Sequence, residues 1–96
     1  MIEIRQTLTF ARWFAGLVDR RARARVLVRI RRLGLGNPGD LRPVGEGVLE
    51  LRIHYGPGYR VYVGRRGAGL MVLLTGGTKG TQERDIRVAV RLARNL

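Results

Sequence analysis

Residues 48–63 read Val48-Leu49-Glu50-Leu51-Arg52-Ile53-His54-Tyr55-Gly56-Pro57-Gly58-Tyr59-Arg60-Val61-Tyr62-Val63, and this stretch decides the fold. Before it, apolar residues recur at helical spacing. Within it they alternate with period two, as the residues of a half-buried strand do. Leu49, Leu51 and Ile53 point one way, and Glu50, Arg52 and His54 the other. Tyr55-Gly56-Pro57-Gly58 is turn chemistry. Beyond it Tyr59, Val61 and Val63 oppose Arg60 and Tyr62. The pattern predicts a hairpin with one apolar face and one basic, aromatic face left uncovered.

Towards the C-terminus, Arg65-Arg66-Gly67-Ala68-Gly69 reads as a second reversal. Leu70-Met71-Val72-Leu73-Leu74 is a continuous apolar run, fitting a central strand covered on both sides. Thr75-Gly76-Gly77-Thr78-Lys79-Gly80 reads as a Gly-rich loop, and Thr81 as the cap of a last helix. Ile86, Ala89, Val90, Ala93 and Leu96 form the apolar side of that helix, with Arg84, Arg87, Arg91 and Arg94 opposite.

Towards the N-terminus, residues 1–6 read as a short strand, and Thr7 or Thr9 can cap a helix. Phe10, Trp13, Phe14, Leu17 and Val18 make one apolar stripe, a piece of core or a groove for a partner. Asp19 can cap a second helix over roughly residues 20–33. Ala22, Val26, Ile30 and Leu33 share one face of it. Arg21, Arg25, Arg29 and Arg32 share another, widened by Arg20, Arg23 and Arg31. That second face is a solvated surface or a seat for an anionic partner. Gly34, Gly36 and the turn Asn37-Pro38-Gly39-Asp40 end the helix. The expectation is a single α+β domain over residues 1–96, ordered β-α-α-β-β-β-α, with an antiparallel sheet carrying the two N-terminal helices on one face.

Composition narrows the chemistry. Lys and Arg total 19 against 7 Asp and Glu, a net charge of +12, while 45% of residues are hydrophobic. This is a folded basic domain and not a disordered basic tail. All the basic residues except Lys79 are Arg. Such a domain attracts polyanions over a Debye length of about 8 Å. With no Cys and one His, thiolate metal sites, disulfide scaffolds and multi-His metal centres are excluded. No apolar run approaches the ~20 residues of a membrane span. Met1-Ile2-Glu3-Ile4-Arg5 lacks the blocks of a signal peptide. A cytoplasmic protein without a membrane partner is expected.

The hairpin gathers the chemistry. Arg52, His54, Arg60 and Tyr62 share its polar face, Tyr55 lies in the adjoining loop, and Lys79 in the Gly-rich turn can reach the same surface. Arginine forks match phosphate oxygens, and Tyr or His rings offer platforms for unpaired bases. Single-stranded RNA suits such a face, with Tyr55, Tyr62, Arg65 and Arg66 as candidate RNA-binding residues. RNA carries its own nucleophile, the 2′-OH. A metal-free nuclease therefore needs proton-transfer groups and cations on the crowded phosphate. His54 can transfer protons, or it can be a strand-end His bonded to backbone. Arg52, Arg60 and Lys79 can hold the developing charge. Glu46, Glu50, Glu83 and Asp85 make a poor Mg²⁺ site.

The segment Gly45-Glu46-Gly47 through Tyr59-Arg60-Val61-Tyr62 resembles the signature of the phage-derived addiction-module killer proteins, a subgroup of the RelE/HigB toxin superfamily. Gly76-Gly77-x-Lys79-x-x-Gln82-x-x-Asp85-Ile86 resembles the same group. The resemblance implies a small RelE-like fold and the toxin of a type II toxin–antitoxin system. Such a toxin is usually a ribosome-dependent mRNA endoribonuclease, needing no metal or cofactor, that blocks translation. It implies as partners the ribosome and mRNA, a cognate antitoxin, often a helix-turn-helix protein, and operator DNA bound through their complex. On the family pattern Arg60 matches the residue at the scissile phosphate, Arg52 a preceding-strand Arg, and Lys79 a basic position after the last strand. The sequence departs from RelE-type enzymes at Val48 and Glu50, where basic residues are common, and near Asp85, where many have a Tyr. His54, Tyr55 or Tyr62 would then have to supply the proton transfer. The ParE branch, which inhibits DNA gyrase by binding, is the non-enzymatic alternative, and a plain basic RNA-binding module is a third.

Overall fold

Thr7 and Asp19 each start a helix. In the computed structural model, which describes residues 1–96, the Thr7 hydroxyl accepts from the Phe10 amide at 3.1 Å and opens α1, Leu8–Ala15. Asp19 Oδ1 accepts from the amides of Arg21 and Ala22 at 2.9 and 3.2 Å and opens α2, Arg20–Gly34. These caps satisfy amides that have no partner within the helix. The first helix is shorter than its apolar stripe implied. It stops at Gly16, so Leu17 and Val18 lie in the connection, and Val18 is almost fully exposed.

The strands are β1 (Glu3–Gln6), β2 (Leu41–Gly45), β3 (Val48–Ile53), β4 (Tyr59–Arg66) and β5 (Leu70–Thr78). A 3-10 turn, Lys79–Thr81, then leads into α3, Gln82–Arg94. The class is α+β, but the expected order lacked one strand. β2 falls between the turn at residues 37–40 and the alternation that begins at Val48, where the sequence pattern predicts no element, and it carries Pro43. Pro is tolerated at the edge of a sheet, and β2 is an edge, in the order β1-β5-β4-β3-β2. Nor is the sheet purely antiparallel: β1 pairs in parallel with β5, at the opposite edge. The chain between them is long enough to serve as the crossover that a parallel pair requires.

β5 also runs further than the apolar run suggested. Thr75-Gly76-Gly77-Thr78 is strand and not loop. Its two glycines are there for close approach. A Cβ on Gly76 would strike the Trp13 ring from α1, and one on Gly77 would strike the Asp85 carboxylate from α3.

The sheet separates two cores. On one side Phe10, Val26 and Leu33 of α1 and α2 pack on Leu51, Ile53, Val61, Val63, Met71 and Leu73. Both N-terminal helices thus share one face, as expected. The other face is not left uncovered. Ile86, Ala89 and Val90 of α3 lie across it against Val48, Tyr62, Val72 and Leu74. Beyond this second core, the covered face carries two polar rows across β3, β4 and β5. Glu50, Tyr62 and Thr75 form one, and Arg52, Arg60 and Gly77 the other.

Candidate functional site

The β3–β4 reversal ends at Gly58, whose φ of +79° few side chains tolerate. The Gly58 carbonyl accepts from Arg60 Nη1 at 2.9 Å. It also accepts from the backbone N–H of Lys79 at 2.9 Å, tying the end of β5 to the hairpin. A Cβ on Gly58 would come within 3.0 Å of Arg60 Nη1 and 3.4 Å of Lys79 Cβ, so the glycine lets the two residues close on each other. Lys79 is exposed and Arg60 is nearly buried.

Behind them lies Glu50, wholly buried yet ionised. Its carboxylate accepts from Arg52 Nε at 2.7 Å, Gln82 Nε2 at 2.8 Å and the Tyr62 hydroxyl at 3.0 Å. Arg60 Nε stands 3.9 Å from the same carboxylate and has no hydrogen-bond partner. Burial pushes the Glu50 carboxyl up, but the bonds from Arg52, Gln82 and Tyr62 outweigh it and hold the group below its ordinary value. Burial, and then the charge of Glu50, pushes the Tyr62 phenol far up. Asp85, also buried, accepts from the Thr81 hydroxyl and anchors the start of α3 beside this cluster. Outside it, Lys79, Gln82, Arg84 and Arg87 line a shallow cleft of about 490 Å³.

Of the residues singled out in the sequence, Arg52, Arg60 and Lys79 meet at this corner, Tyr62 joins it only from the buried side through Glu50, and four others lie elsewhere. Tyr62 lies on the expected face, but α3 covers that face, so its ring and hydroxyl are sealed from any RNA base. His54 falls just past the end of β3. It lines a groove against α2 and pairs through Nε2 with Asp40 Oδ2 at 2.7 Å, so neither its surroundings nor its bond is shared with Arg60. Tyr55 turns to the α2 side, where its hydroxyl donates to Asp19 Oδ2 at 2.9 Å and its ring sits 4.7 Å beneath the Arg25 guanidinium. Arg65 and Arg66 are at the other end of β4, about 16 Å or more from Arg60 at the rise of a strand. The Arg66 guanidinium donates to the Leu96 carbonyl at 3.4 Å.

Glu50, Gln82, Thr81 and Asp85 belong to the cluster although none was chosen as a site residue. The signal was present in the apolar stripe Ile86-Ala89-Val90. A helix with that stripe must cover something, and the face bearing Glu50 was the one still free.

The arrangement is a cationic corner: Lys79 exposed, Arg52 partly exposed, Arg60 behind them, and one buried carboxylate bonded to Arg52 and 3.9 Å from Arg60 Nε. Among its residues no group of three or more His, Cys, Asp and Glu could hold a metal ion.

Fold and site together define a small, strongly basic α+β protein with a cationic corner at one end of its sheet. No family model matches the chain. It is 47% identical over 95 residues to an uncharacterized protein of Haemophilus influenzae, a match covering 99% of this chain and 96% of the other. The chain belongs to the family of that protein.

Proposed function

We propose that this chain is the toxin of a type II toxin–antitoxin system, akin to the RelE/HigB killer proteins, and cleaves mRNA on the ribosome without a metal. The observation that carries the reading is the closure of Arg60 and Lys79 on the Gly58 carbonyl, with Arg52 in the adjacent strand position. In RNA cleavage the 2′-OH gives up its proton to water as its oxygen bonds the neighbouring phosphorus, the P–O5′ bond breaks to leave a 2′,3′-cyclic phosphate, the departing 5′ oxygen takes a proton from water, and negative charge gathers on the non-bridging oxygens in the transition state. Fixed cations beside those oxygens stabilise the transition state more than the ground state. The Glu50 carboxylate holds Arg52 and the Gly58 carbonyl holds Arg60, so little reorganisation is needed when the phosphate arrives. The ribosome and mRNA are the substrate partners on this reading. A helix-turn-helix antitoxin is the inhibitor, operator DNA is reached through the complex, and the setting is the cytoplasm. No helix is long and apolar enough to cross a membrane.

One observation favours a second reading, ParE-like inhibition of DNA gyrase by binding. Of the proton-transfer groups expected beside Arg60, His54 and Tyr55 lie on the α2 side, and Tyr62 is sealed behind the corner with its hydroxyl committed to Glu50. Expression of the chain alone, with mapping of mRNA 5′ ends, decides between them. Growth arrest with breaks at translated codons supports the nuclease. Arrest with intact mRNA, and loss of gyrase supercoiling in the presence of purified protein, replaces it with the second reading.

A further inference from the structure

We propose that α2 and the end of β3 form a docking groove for an acidic, amphipathic helical segment of another protein. The groove encloses about 480 Å³. Arg21, Arg25 and Arg32 stand along it, all exposed and none in an ion pair with a carboxylate. From Arg21 to Arg32 the row covers about 16 Å, or three helical turns.

The fourth cation of that helix face, Arg29, lines the groove but offers no free guanidinium to it. The Arg29 guanidinium turns inward and donates to the carbonyls of Arg52, Pro38 and Asp40 at 2.5, 3.0 and 3.3 Å. Arg29 still lines the groove, but with its guanidinium bonded to backbone, so Val28, 51% exposed, and Ala24 form an apolar patch between Arg25 and Arg32, over the buried Ile53. Arg25 is already ordered by its stacking over Tyr55, so little side-chain entropy remains to be lost there on binding.

An apolar centre with cations one turn to either side is the complement of a helix that presents Leu or Ile between Asp and Glu residues. A nucleic-acid backbone would use the cations but gain nothing from Val28. A net charge of +12 would also speed the encounter with an acidic partner. The groove lies on the α2 side of the sheet, whereas Arg60 faces α3, so the proposal stands whether or not the chain cleaves RNA.

The test uses the full chain and a synthetic blocked helical peptide of about 18 residues, five turns, with a Leu stripe flanked by Glu. A second peptide replaces each Leu by Ser at unchanged charge, and an oligouridine of similar length serves as the nucleic-acid probe. Titrations are followed by fluorescence anisotropy. The Leu-Glu peptide should bind at least about tenfold more tightly than its Ser counterpart. Val28→Asp and Arg25→Glu should each weaken it by about tenfold or more, and Arg91→Glu on α3 should leave it unchanged. Equal affinity for the two peptides overturns the proposal, as does undiminished binding to Val28→Asp and Arg25→Glu. So does an oligouridine affinity that falls in Val28→Asp as far as that of the peptide. Should either variant melt early, amide shifts in the unmutated protein decide. Perturbation of residues 21–32 and 53–54 supports the groove, and perturbation confined to 58–60 and 77–82 refutes it.

Discussion

Arg60 and Lys79 donate to a single oxygen: the Gly58 carbonyl accepts the Arg60 guanidinium and the Lys79 backbone N–H, each at 2.9 Å. The hairpin turn and the end of β5 are thereby joined, and both cations are placed at one corner of the sheet. Arg60→Ala should abolish growth arrest while the protein remains folded. The Gly58 carbonyl keeps Lys79 as a donor and Glu50 keeps three others, so the stability loss should be about 1–2 kcal/mol. Arg60→Lys restores charge but not the planar fork, and should recover little activity. Growth curves on induction and circular-dichroism melts check both. A folded Arg60→Ala that arrests growth like the parent would remove Arg60 from the site.

Glu50 is the keystone of stability at this corner. Glu50→Ala would leave the Arg52 guanidinium, the Gln82 amide and the Tyr62 hydroxyl without their shared acceptor, and the buried Arg60 without its nearby counter-charge. Removing one member of a buried ionic cluster costs about 3–5 kcal/mol, and for a domain of this size each kcal/mol lowers Tm by about 4–8 °C. Glu50→Gln keeps the shape and one acceptor oxygen, and should cost about 1–3 kcal/mol. Thermal melts of the two variants should rank in that order.

The stability profile should be bounded at both ends of the pH scale. The Tyr55 hydroxyl and the Ala22 amide hold the Asp19 carboxyl down, and His54 and Arg42 do the same for Asp40. At Glu50 burial opposes the shift, but the bonds from Arg52 and Gln82 prevail. A carboxyl that is more acidic in the folded chain adds stability above its unfolded pKa, and that stability drains as pH falls through the folded value. Urea midpoints should therefore decline below about pH 4, less steeply in Glu50→Gln. The Tyr62 phenol is shifted the other way, by burial first and then by Glu50. It stays neutral when folded while the unfolded chain ionises from about pH 10, so midpoints should fall again above that pH. Absorbance at 295 nm should show Tyr62 ionising only with unfolding, and Tyr62→Phe should lose that late step.

What the sequence disclosed follows from which signals are local. Period-two alternation over residues 48–63 and the caps at Thr7 and Asp19 are properties of neighbouring residues, and they placed β3, β4, α1 and α2. β2 escaped because Leu41-Arg42-Pro43-Val44-Gly45 has no clean alternation of its own and is held as a strand by its pairing with β3. The burial of Tyr62 escaped because it depends on where α3 lands, some twenty residues later in the chain. At the site, the meeting of Arg60 with Lys79 was legible from the place of Lys79 just after the apolar run of residues 70–74, within reach of the hairpin's polar face. The Glu50 cluster was not: an isolated Glu on the polar side of a strand looks the same whether solvent or a helix lies above it.

Gly77 tests the covered face directly. Its Cβ position is occupied by the Asp85 carboxylate and lies 2.8 Å from Thr81 Oγ1. Gly77→Ala must therefore lift the start of α3 from the sheet, and Gly76→Ala must displace Trp13 on the opposite side. Each overpacking should cost about 1–3 kcal/mol. The consequences should differ, because only Gly77 borders the corner that holds Arg60 and Lys79. Among folded variants, Gly77→Ala should lose growth arrest and Gly76→Ala should retain it. Loss of arrest in both, with equal melting temperatures, would place the active surface elsewhere.

Arg29 and Arg21 occupy equivalent positions on one helix face and differ in what they touch. Arg29 satisfies three carbonyls, at Arg52, Pro38 and Asp40, and so fastens α2 to β3 and to the turn before β2. Arg21 is exposed and ends in solvent at the rim of the groove. Arg29→Ala should take this donor from the Arg52 and Pro38 carbonyls and leave the Asp40 carbonyl with the Arg52 amide alone, at a cost of about 1–3 kcal/mol, whereas Arg21→Ala should stay within about 0.5 kcal/mol of the parent. Backbone hydrogen exchange locates the difference. In Arg29→Ala, protection should fall at Arg52, whose amide donates to the Asp40 carbonyl at 3.0 Å, because the guanidinium that steadies that carbonyl is gone. Equal melting temperatures for the two alanine variants would mean that the four-arginine face acts as one solvated surface and that the inward turn of Arg29 contributes nothing to the fold.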